Sequence, residues 1–200
     1  DMVTAIVTEQ GRIDGLVNNA GGQYITPLEQ ISAKGWQAVI DTNLTGGFLV
    51  ARECYLQSMA AHGGSIVNIV ADIWGSMPSM GHSGAARAGM VSFTETAAAE
   101  WAASGVRVNA ISPGYTLTQA LQAAIDRGDR NPEELTSQAA MGRLVKPSEV
   151  ADAVAFLLSP AASAITGINL PVDAGWLAGS TWMTYGGVPP ARQSQSHGVK

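Results

Sequence analysis

The sequence predicts an α/β fold, a doubly wound parallel sheet with helices on both faces. Three observations carry this. Short apolar segments alternate with longer helical ones along most of the chain. The strand candidates are apolar on both faces, as a sheet covered on two sides requires. And 23 of 200 residues are Gly, with Ala abundant, which suits close helix–sheet packing and tight turns.

The elements follow in order. Residues 1–11 read as a helix, with Met2, Ile6 and Val7 on one face and Gly11 as its stop. Ile13 to Val17 is a buried strand that runs into the tight loop Asn18-Asn19-Ala20-Gly21-Gly22. Helical character begins again between Pro27 and Trp36. A long helix covers Asn43 to Ala61, carrying Leu44, Phe48, Leu49, Ala51, Tyr55 and Met59, and Gly63-Gly64 ends it. Ser65 to Val70 is a strand, Gly81 to Ala103 an Ala-rich helix, and Val106 to Ile111 a strand closed by Ser112-Pro113-Gly114. Tyr115 to Ala140 is polar and weakly helical. Pro147 to Leu158 is an amphipathic helix with proline at its start, where a missing N–H is harmless. Ile168 to Val172 is the last strand.

Composition narrows the function. Hydrophobic residues make up 46% and charged residues 14%, so a large core forms and disorder is not expected. Net charge is -5 and no segment is rich in Lys or Arg, which argues against nucleic acid as a partner. The single cysteine, Cys54, cannot form an intrachain disulfide. It reads as a small core residue in a reducing compartment. No apolar run reaches the roughly 18 residues of a membrane span. A cytoplasmic protein that needs no membrane is expected, and no cluster suggests a metal.

A dinucleotide-binding sheet of the Rossmann type normally opens with a strand, a Gly-rich turn and a helix that cradles the pyrophosphate. No G-x-G-x-x-G precedes the first strand here. The chain is therefore expected to be the C-terminal portion of one Rossmann-type domain over residues 1–178, lacking about the first three strands. Residues 179–200 read as a loose tail. The first strand is expected to be an unprotected edge, prone to association.

Several motifs now carry a resemblance. Asn18-Asn19-Ala20-Gly21 ends the first strand, and Asn43 lies in Asp41-Thr42-Asn43-Leu44. Arg107-Val108-Asn109-Ala110-Ile111-Ser112-Pro113-Gly114 follows, then Thr118, then the stretch from Gly167 to Gly175. In this order they resemble the short-chain dehydrogenase/reductase family over about residues 1–178. The resemblance implies a nicotinamide cofactor, NADPH or NADH. It implies that Asn18, Ala20, Gly21, Pro113 and Gly114 line its site and that Thr118 bonds the carboxamide. Asn43 matches the family's structural asparagine of the following helix, which the resemblance places with Ser83 and Arg87 among the catalytic candidates. Physically, a turn lets backbone approach a cofactor only if its side chains are small, which suits Ala20-Gly21-Gly22. The plainer alternatives are an Asx turn at Asn18 and an ordinary turn at Pro113-Gly114.

The family's catalytic helix carries Tyr-x-x-x-Lys, one turn apart on one face. Here Ser83 stands at the tyrosine position and Arg87 at the lysine position, and Val70-Ala71-Asp72 holds no serine where the family has one. His82-Ser83-Gly84-Ala85-Ala86-Arg87-Ala88-Gly89 is similar to the peroxisomal trans-2-enoyl-CoA reductases and more distantly to the 2,4-dienoyl-CoA reductases. Chemistry fits that branch. Ketone reduction needs an acid at the carbonyl oxygen, for which serine is poor. Enoyl thioester reduction spreads charge into an enolate, which asks first for hydrogen-bond donors. Ser83 is then a donor to the enolate oxygen, or a helix cap. Arg87 clamps the nicotinamide ribose, or forms a structural ion pair. His82 is an acid, or is exposed at the helix start. Asp72 orients a water, or caps a helix or is solvated, and Trp74 belongs to the same wall. Tyr24, after the first loop, and Tyr115, after Pro113-Gly114, are candidate replacement phenols, although neither matches a family catalytic position.

The resemblance implies an acyl-CoA-like substrate and a homodimer or homotetramer, in the cytoplasm or, in a eukaryote, the peroxisome. Contacts between copies are expected at Met90, Phe93, Trp101 and Trp176, which serve equally as core. A carbonyl or alcohol dehydrogenase with a displaced acid and a non-catalytic family remnant are the competing readings. CoA is anionic and the chain acidic, so the first reading needs a local basic patch, for which Arg87, Arg143 and Lys146 are the candidates.

Overall fold

The computed structural model describes residues 2–72 and 76–180. Trp74 and the tail beyond residue 180 lie outside the described residues. Four strands, β1 (Gly15–Asn18), β2 (Gly64–Ile69), β3 (Val106–Pro113) and β4 (Asn169–Val172), form one sheet in the order β1-β2-β3-β4. All neighbours are parallel, with Leu16 beside Ile66, Val67 beside Asn109 and Ile111 beside Leu170. The connections carry helices α1 (Met2–Gln10), α2 (Ala33–Ile40), α3 (Gly46–Cys54), α4 (Ala60–His62), α5 (Gly81–Trp101), α6 (Gln119–Asp126), α7 (Pro132–Thr136), α8 (Pro147–Leu158) and α9 (Trp176–Ser180).

Alternation along the strands produces the double winding. Ile66, Val106 and Val108 face a core shared with Val3, Ala51, Cys54, Met59, Ala97 and Ala98, from α1, the long helical stretch and α5. Val67 and Ile111 face the other way, onto Leu157 of α8 and Ala162. The sheet is thus apolar on both sides because both sides are covered. The expected apolar face of α1 is realised only in part: Val7 packs against the core around Val3. Met2 and Ile6 are 62% and 39% exposed, and Val3 is the residue that inserts. Neighbouring helical residues point about 100° apart, so Val3 and Val7, one turn apart, share the face that meets the core while Met2 and Ile6 do not.

Residues 33–62 form one continuous helical rod rather than a helix from Asn43. Ser32 caps it, its hydroxyl accepting from Gly35 N at 3.0 Å. Two π-turns, Asp41–Thr45 and Tyr55–Met59, interrupt α2, α3 and α4. A π-turn inserts a residue and redirects the following face, and such turns concentrate at functional sites. Gly63 ends the rod at φ +73°, a conformation that favours glycine.

The R-x-N segment has a structural use. Arg107 donates to the carbonyls of Leu157 at 2.7 Å and Ser159 at 3.2 Å, satisfying the end of α8. Asn109 donates to Ile165 O at 2.9 Å and accepts from Ile168 N at 3.2 Å. Together they tie β3 to the connection that leads into β4. Met90 is core at 2% exposure. Phe93 packs edge-on to Phe48 and Trp101, and Trp101 stacks on Tyr55 at 4.4 Å. Of the residues expected at contacts between copies, these three are engaged in intrachain packing. β1 is an edge strand, with Val17 40% exposed.

Candidate active site

The C-terminal ends of the four strands converge on one side of the sheet, where ligands bind in open α/β folds. The loop after β1 is held there by Asn43. In the first π-turn this side chain is 2% exposed. Its Oδ1 accepts from Gly22 N at 2.9 Å and its Nδ2 donates to Gly22 O at 2.7 Å. Gly21 lies against the same group: a Cβ there would stand 2.5 Å from both Asn43 Oδ1 and Arg87 Nη2. Only glycine lets the loop come this close. At Gly22 a Cβ would meet nothing within 4 Å, so that side of the loop is open. Ala20 is exposed beside it.

Asn18 behaves differently from a ligand-facing residue. Its amide points into the protein, donating to Gly47 O at 3.1 Å and Asn68 Oδ1 at 2.8 Å. Asn68 in turn donates to Thr94, and Thr94 to Met90 O, both at 2.8 Å. This buried chain fixes where β1 ends relative to α5.

Arg87 sits on α5, 9% exposed. Its Nη1 donates to Ile69 O at 2.6 Å, while its buried Nε has no partner. No ion pair to Arg87 forms among the described residues, so the structural-pair alternative is not realised. Burial pushes its pKa down, but a guanidinium remains charged in proteins. One turn earlier, Ser83 is 1% exposed. The helix begins after Met80, so Ser83 is inside it and caps nothing.

His82 corrects an expectation. It is not exposed at the helix start but fully buried, with Nδ1 accepting from Ser83 N at 2.9 Å. Tyr24 packs edge-on against its ring at 4.6 Å. The reason is that α5 begins under the loop after β1, with Thr26 N bonded to Ser79 O at 2.8 Å.

Asp72 corrects another. It is neither capping nor solvated: both carboxylate oxygens are buried without a hydrogen-bond partner among the described residues. Burial first, and the charge of Asp173 second, push its pKa up to about 7. Asp72 lines a cleft of about 400 Å³ together with Gln23, Met77, Pro78, Met80, Pro113, Gly114, Tyr115 and Trp176. Gly114 is needed at this wall because a Cβ would come within 2.8 Å of Asp173 Cα.

Pro113 also borders a second cavity of about 670 Å³, with Val17, Asn19, Ile69 and Thr118 at strand ends and Val150, Val154 and Leu158 from α8. Thr118 caps α6, its hydroxyl accepting from Leu121 N at 3.2 Å. Pro113 thus joins two adjacent spaces, one apolar against α8 and one holding Asp72. Arg143 and Lys146 border neither cavity. Arg143 is occupied by Glu149, at 2.7 Å and 2.9 Å. The basic patch expected for CoA is therefore not assembled at the cleft.

Comparison with known proteins agrees with this architecture. Residues 1–177 match the family model described as Enoyl-(Acyl carrier protein) reductase. A probable 2,4-dienoyl-CoA reductase of Bacillus subtilis is 37% identical over 88% of this chain and 71% of its own length. The structure of a citronellol catabolism dehydrogenase (AtuB) of Pseudomonas aeruginosa PAO1 is 49% identical, with a TM-score of 0.76 over 88% of this chain and 66% of that one. A gluconate 5-dehydrogenase of Burkholderia cenocepacia, in complex with NADP and tartrate, is 30% identical, with a TM-score of 0.81 over 88% and 69%. The chain belongs to the short-chain dehydrogenase/reductase family. It spans about two thirds to seven tenths of the length of these relatives. Relatives of similar identity include a D-threitol dehydrogenase and a 3-oxoacyl-[acyl-carrier-protein] reductase. Family membership therefore fixes an oxidoreductase and leaves the substrate open.

Proposed function

We propose that this chain carries the substrate half of a nicotinamide-dependent reductase acting on the trans-2 double bond of enoyl-CoA thioesters. The observation that carries this reading is the face of α5. Where the family places a tyrosine acid and a lysine, the helix presents a buried Ser83 and a buried Arg87. A serine there suits a hydrogen bond to an enolate oxygen better than full proton transfer to a ketone.

The residues fit the cofactor. The loop Ala20-Gly21-Gly22 is pinned by Asn43 and open at Gly22. The orphaned Nε of Arg87 is a donor suited to a ribose hydroxyl. Asn19, Pro113 and Thr118 would border the nicotinamide, and Asn18 would fix the loop rather than touch the ring. NADPH, or NADH, supplies hydride when bound. Around it Asn43 holds the loop, Arg87 holds charge and orientation, and Ser83 donates to the substrate oxygen. The cleft lacks cations, so the CoA phosphates would lie outside it.

The second reading, a carbonyl or alcohol dehydrogenase with a displaced acid, is favoured by Asp72 in the cleft and by the dehydrogenase name of the 49%-identical structure. Turnover separates the two. Crotonyl-CoA reduced with NADPH at least tenfold faster than aliphatic aldehydes and ketones is the expected result, and the reverse order rejects enoyl reduction. A homodimer or homotetramer fits the exposed apolar Phe48, Leu49 and Leu56 on the helical rod. No helix among the described residues is long and apolar enough to cross a membrane. We take a cytoplasmic setting as the fitting one, since the relatives named are bacterial and lend no support to a peroxisomal one.

A further inference from the structure

The cleft has an acid that the family resemblance does not supply. We propose that Asp72 is the proton donor of this cleft, and that the part of the substrate the cleft receives is an uncharged carbonyl group with an apolar body. The proposal rests on the reductase reading above and adds the acid and the substrate class to it.

Asp72 follows β2 at its C-terminal end, where the reacting group must lie. Both its oxygens are buried, and no backbone N–H, arginine or hydroxyl among the described residues bonds them. Among the described residues no group of three metal-ligating side chains accompanies it there. A buried carboxylate in that condition is costly, whereas a neutral carboxyl is not. The groups that face it agree. Asp173, at the end of β4, accepts from Gly175 N at 2.8 Å and Leu177 N at 2.9 Å, and its charge adds to burial, the larger cause, in raising the Asp72 pKa to about 7. Tyr115, from the end of β3, is the other titratable group on the cleft wall. No Lys or Arg lines it. Gln23 and Ser76 are neutral polar groups on the wall, and Met77, Pro78, Met80 and Trp176 make most of the rest apolar. With Asp72 protonated, a substrate carboxylate would still be a second anion near Asp173, with no Lys or Arg on the wall to balance it. A neutral carbonyl oxygen is the complementary acceptor.

In the reductive direction, hydride adds to the substrate carbon and the π pair moves to the carbonyl oxygen. The O–H bond of Asp72 breaks as its proton bonds to that oxygen. An enol so formed rearranges to the saturated thioester; a ketone becomes an alcohol directly. Asp72, left as carboxylate, regains its proton from water.

The test has one arm that needs no turnover. Carbon-13 NMR of the aspartate carboxyls is followed by pH in the full chain, in Asp72→Asn and in Asp173→Asn. Crotonamide serves as neutral probe and crotonate as charged probe. One carboxyl, lost in Asp72→Asn, is expected to titrate near pH 7 and to move lower in Asp173→Asn. Crotonamide is expected to bind wild type about tenfold more weakly at high pH than at low pH, without that dependence in Asp72→Asn. Crotonate binds more weakly than crotonamide throughout. Titration of Asp72 in the ordinary carboxylate range, no crotonamide binding at low pH, or unchanged pH dependence in Asp72→Asn overturns the proposal. In the second arm, kcat/KM for whichever of crotonyl-CoA or a ketone is reduced falls above about pH 7, and Asp72→Asn loses about 100-fold and the pH limb. If wild type reduces neither, the reductase reading fails while the first arm still decides the role of Asp72.

Discussion

Asn43 grips both backbone polar groups of Gly22, accepting from its N–H at 2.9 Å and donating to its carbonyl at 2.7 Å. One side chain in a π-turn thereby sets the loop that ends β1. Asn43→Ala removes both bonds and is expected to destabilise by about 1–3 kcal/mol, with a larger fractional loss of NADPH affinity than of stability. Asn43→Asp is more informative. Its carboxylate still accepts from Gly22 N but opposes Gly22 O, so it should be worse than Ala at neutral pH and recover on acidification. Denaturant melts and cofactor titration at two pH values check both.

Gly21 and Gly22 are neighbours with opposite tolerances. A Cβ at Gly21 meets Asn43 Oδ1 and Arg87 Nη2 at 2.5 Å. The arginine end could shift, but it is buried and bound to Ile69 O. Gly21→Ala is therefore expected to lower stability by about 1–3 kcal/mol, the range for overpacking. Gly22→Ala meets nothing and should stay within about 0.5 kcal/mol of wild type. Thermal unfolding of the two variants side by side is the measurement.

The sheet was legible because its signals are local. β2, β3 and α8 lie within a residue or two of where periodicity and turn residues place them. So was the doubly wound arrangement, since strands apolar on both faces demand two covers. What sequence patterns missed depends on approach between distant segments. His82 looks like a surface residue of a helix start, and only the loop carrying Tyr24 buries it. Asp72 looks solvated until Met77, Met80 and Trp176 close around it. The clamp of Asn43 on Gly22 spans 21 residues through a π-turn that no residue pattern announces.

Asp72 makes stability depend on pH. Its folded pKa of about 7 lies above the unfolded value, because folding buries it beside Asp173. The penalty is absent below about pH 4, where the carboxyl is protonated in both states. It grows as pH rises, since only the unfolded state ionises freely, and reaches its full size above pH 7. Asp72→Asn should therefore be more stable than wild type at pH 8, by about 1–2 kcal/mol once partial solvent screening is allowed for. The gain should shrink to nothing toward pH 4. Equal melts at both pH values would mean that Asp72 ionises without hindrance in the folded chain.

Ser83 and Arg87 share one face of α5 but should fail in different ways. Ser83 caps nothing and is 1% exposed, so Ser83→Ala removes one hydroxyl and little packing. Stability should change by less than about 1 kcal/mol. If the hydroxyl donates to the substrate oxygen, kcat/KM should fall about 10- to 100-fold with NADPH affinity unchanged. Arg87→Lys keeps the charge but loses the planar fork that reaches Ile69 O at 2.6 Å. Its effect should fall on NADPH binding, with Kd rising about tenfold, and Arg87→Met should exceed it because the charge goes too. The split is decisive. A Ser83→Ala variant that loses stability in step with activity is a packing variant, and an Arg87→Lys variant that binds NADPH normally removes Arg87 from the cofactor site.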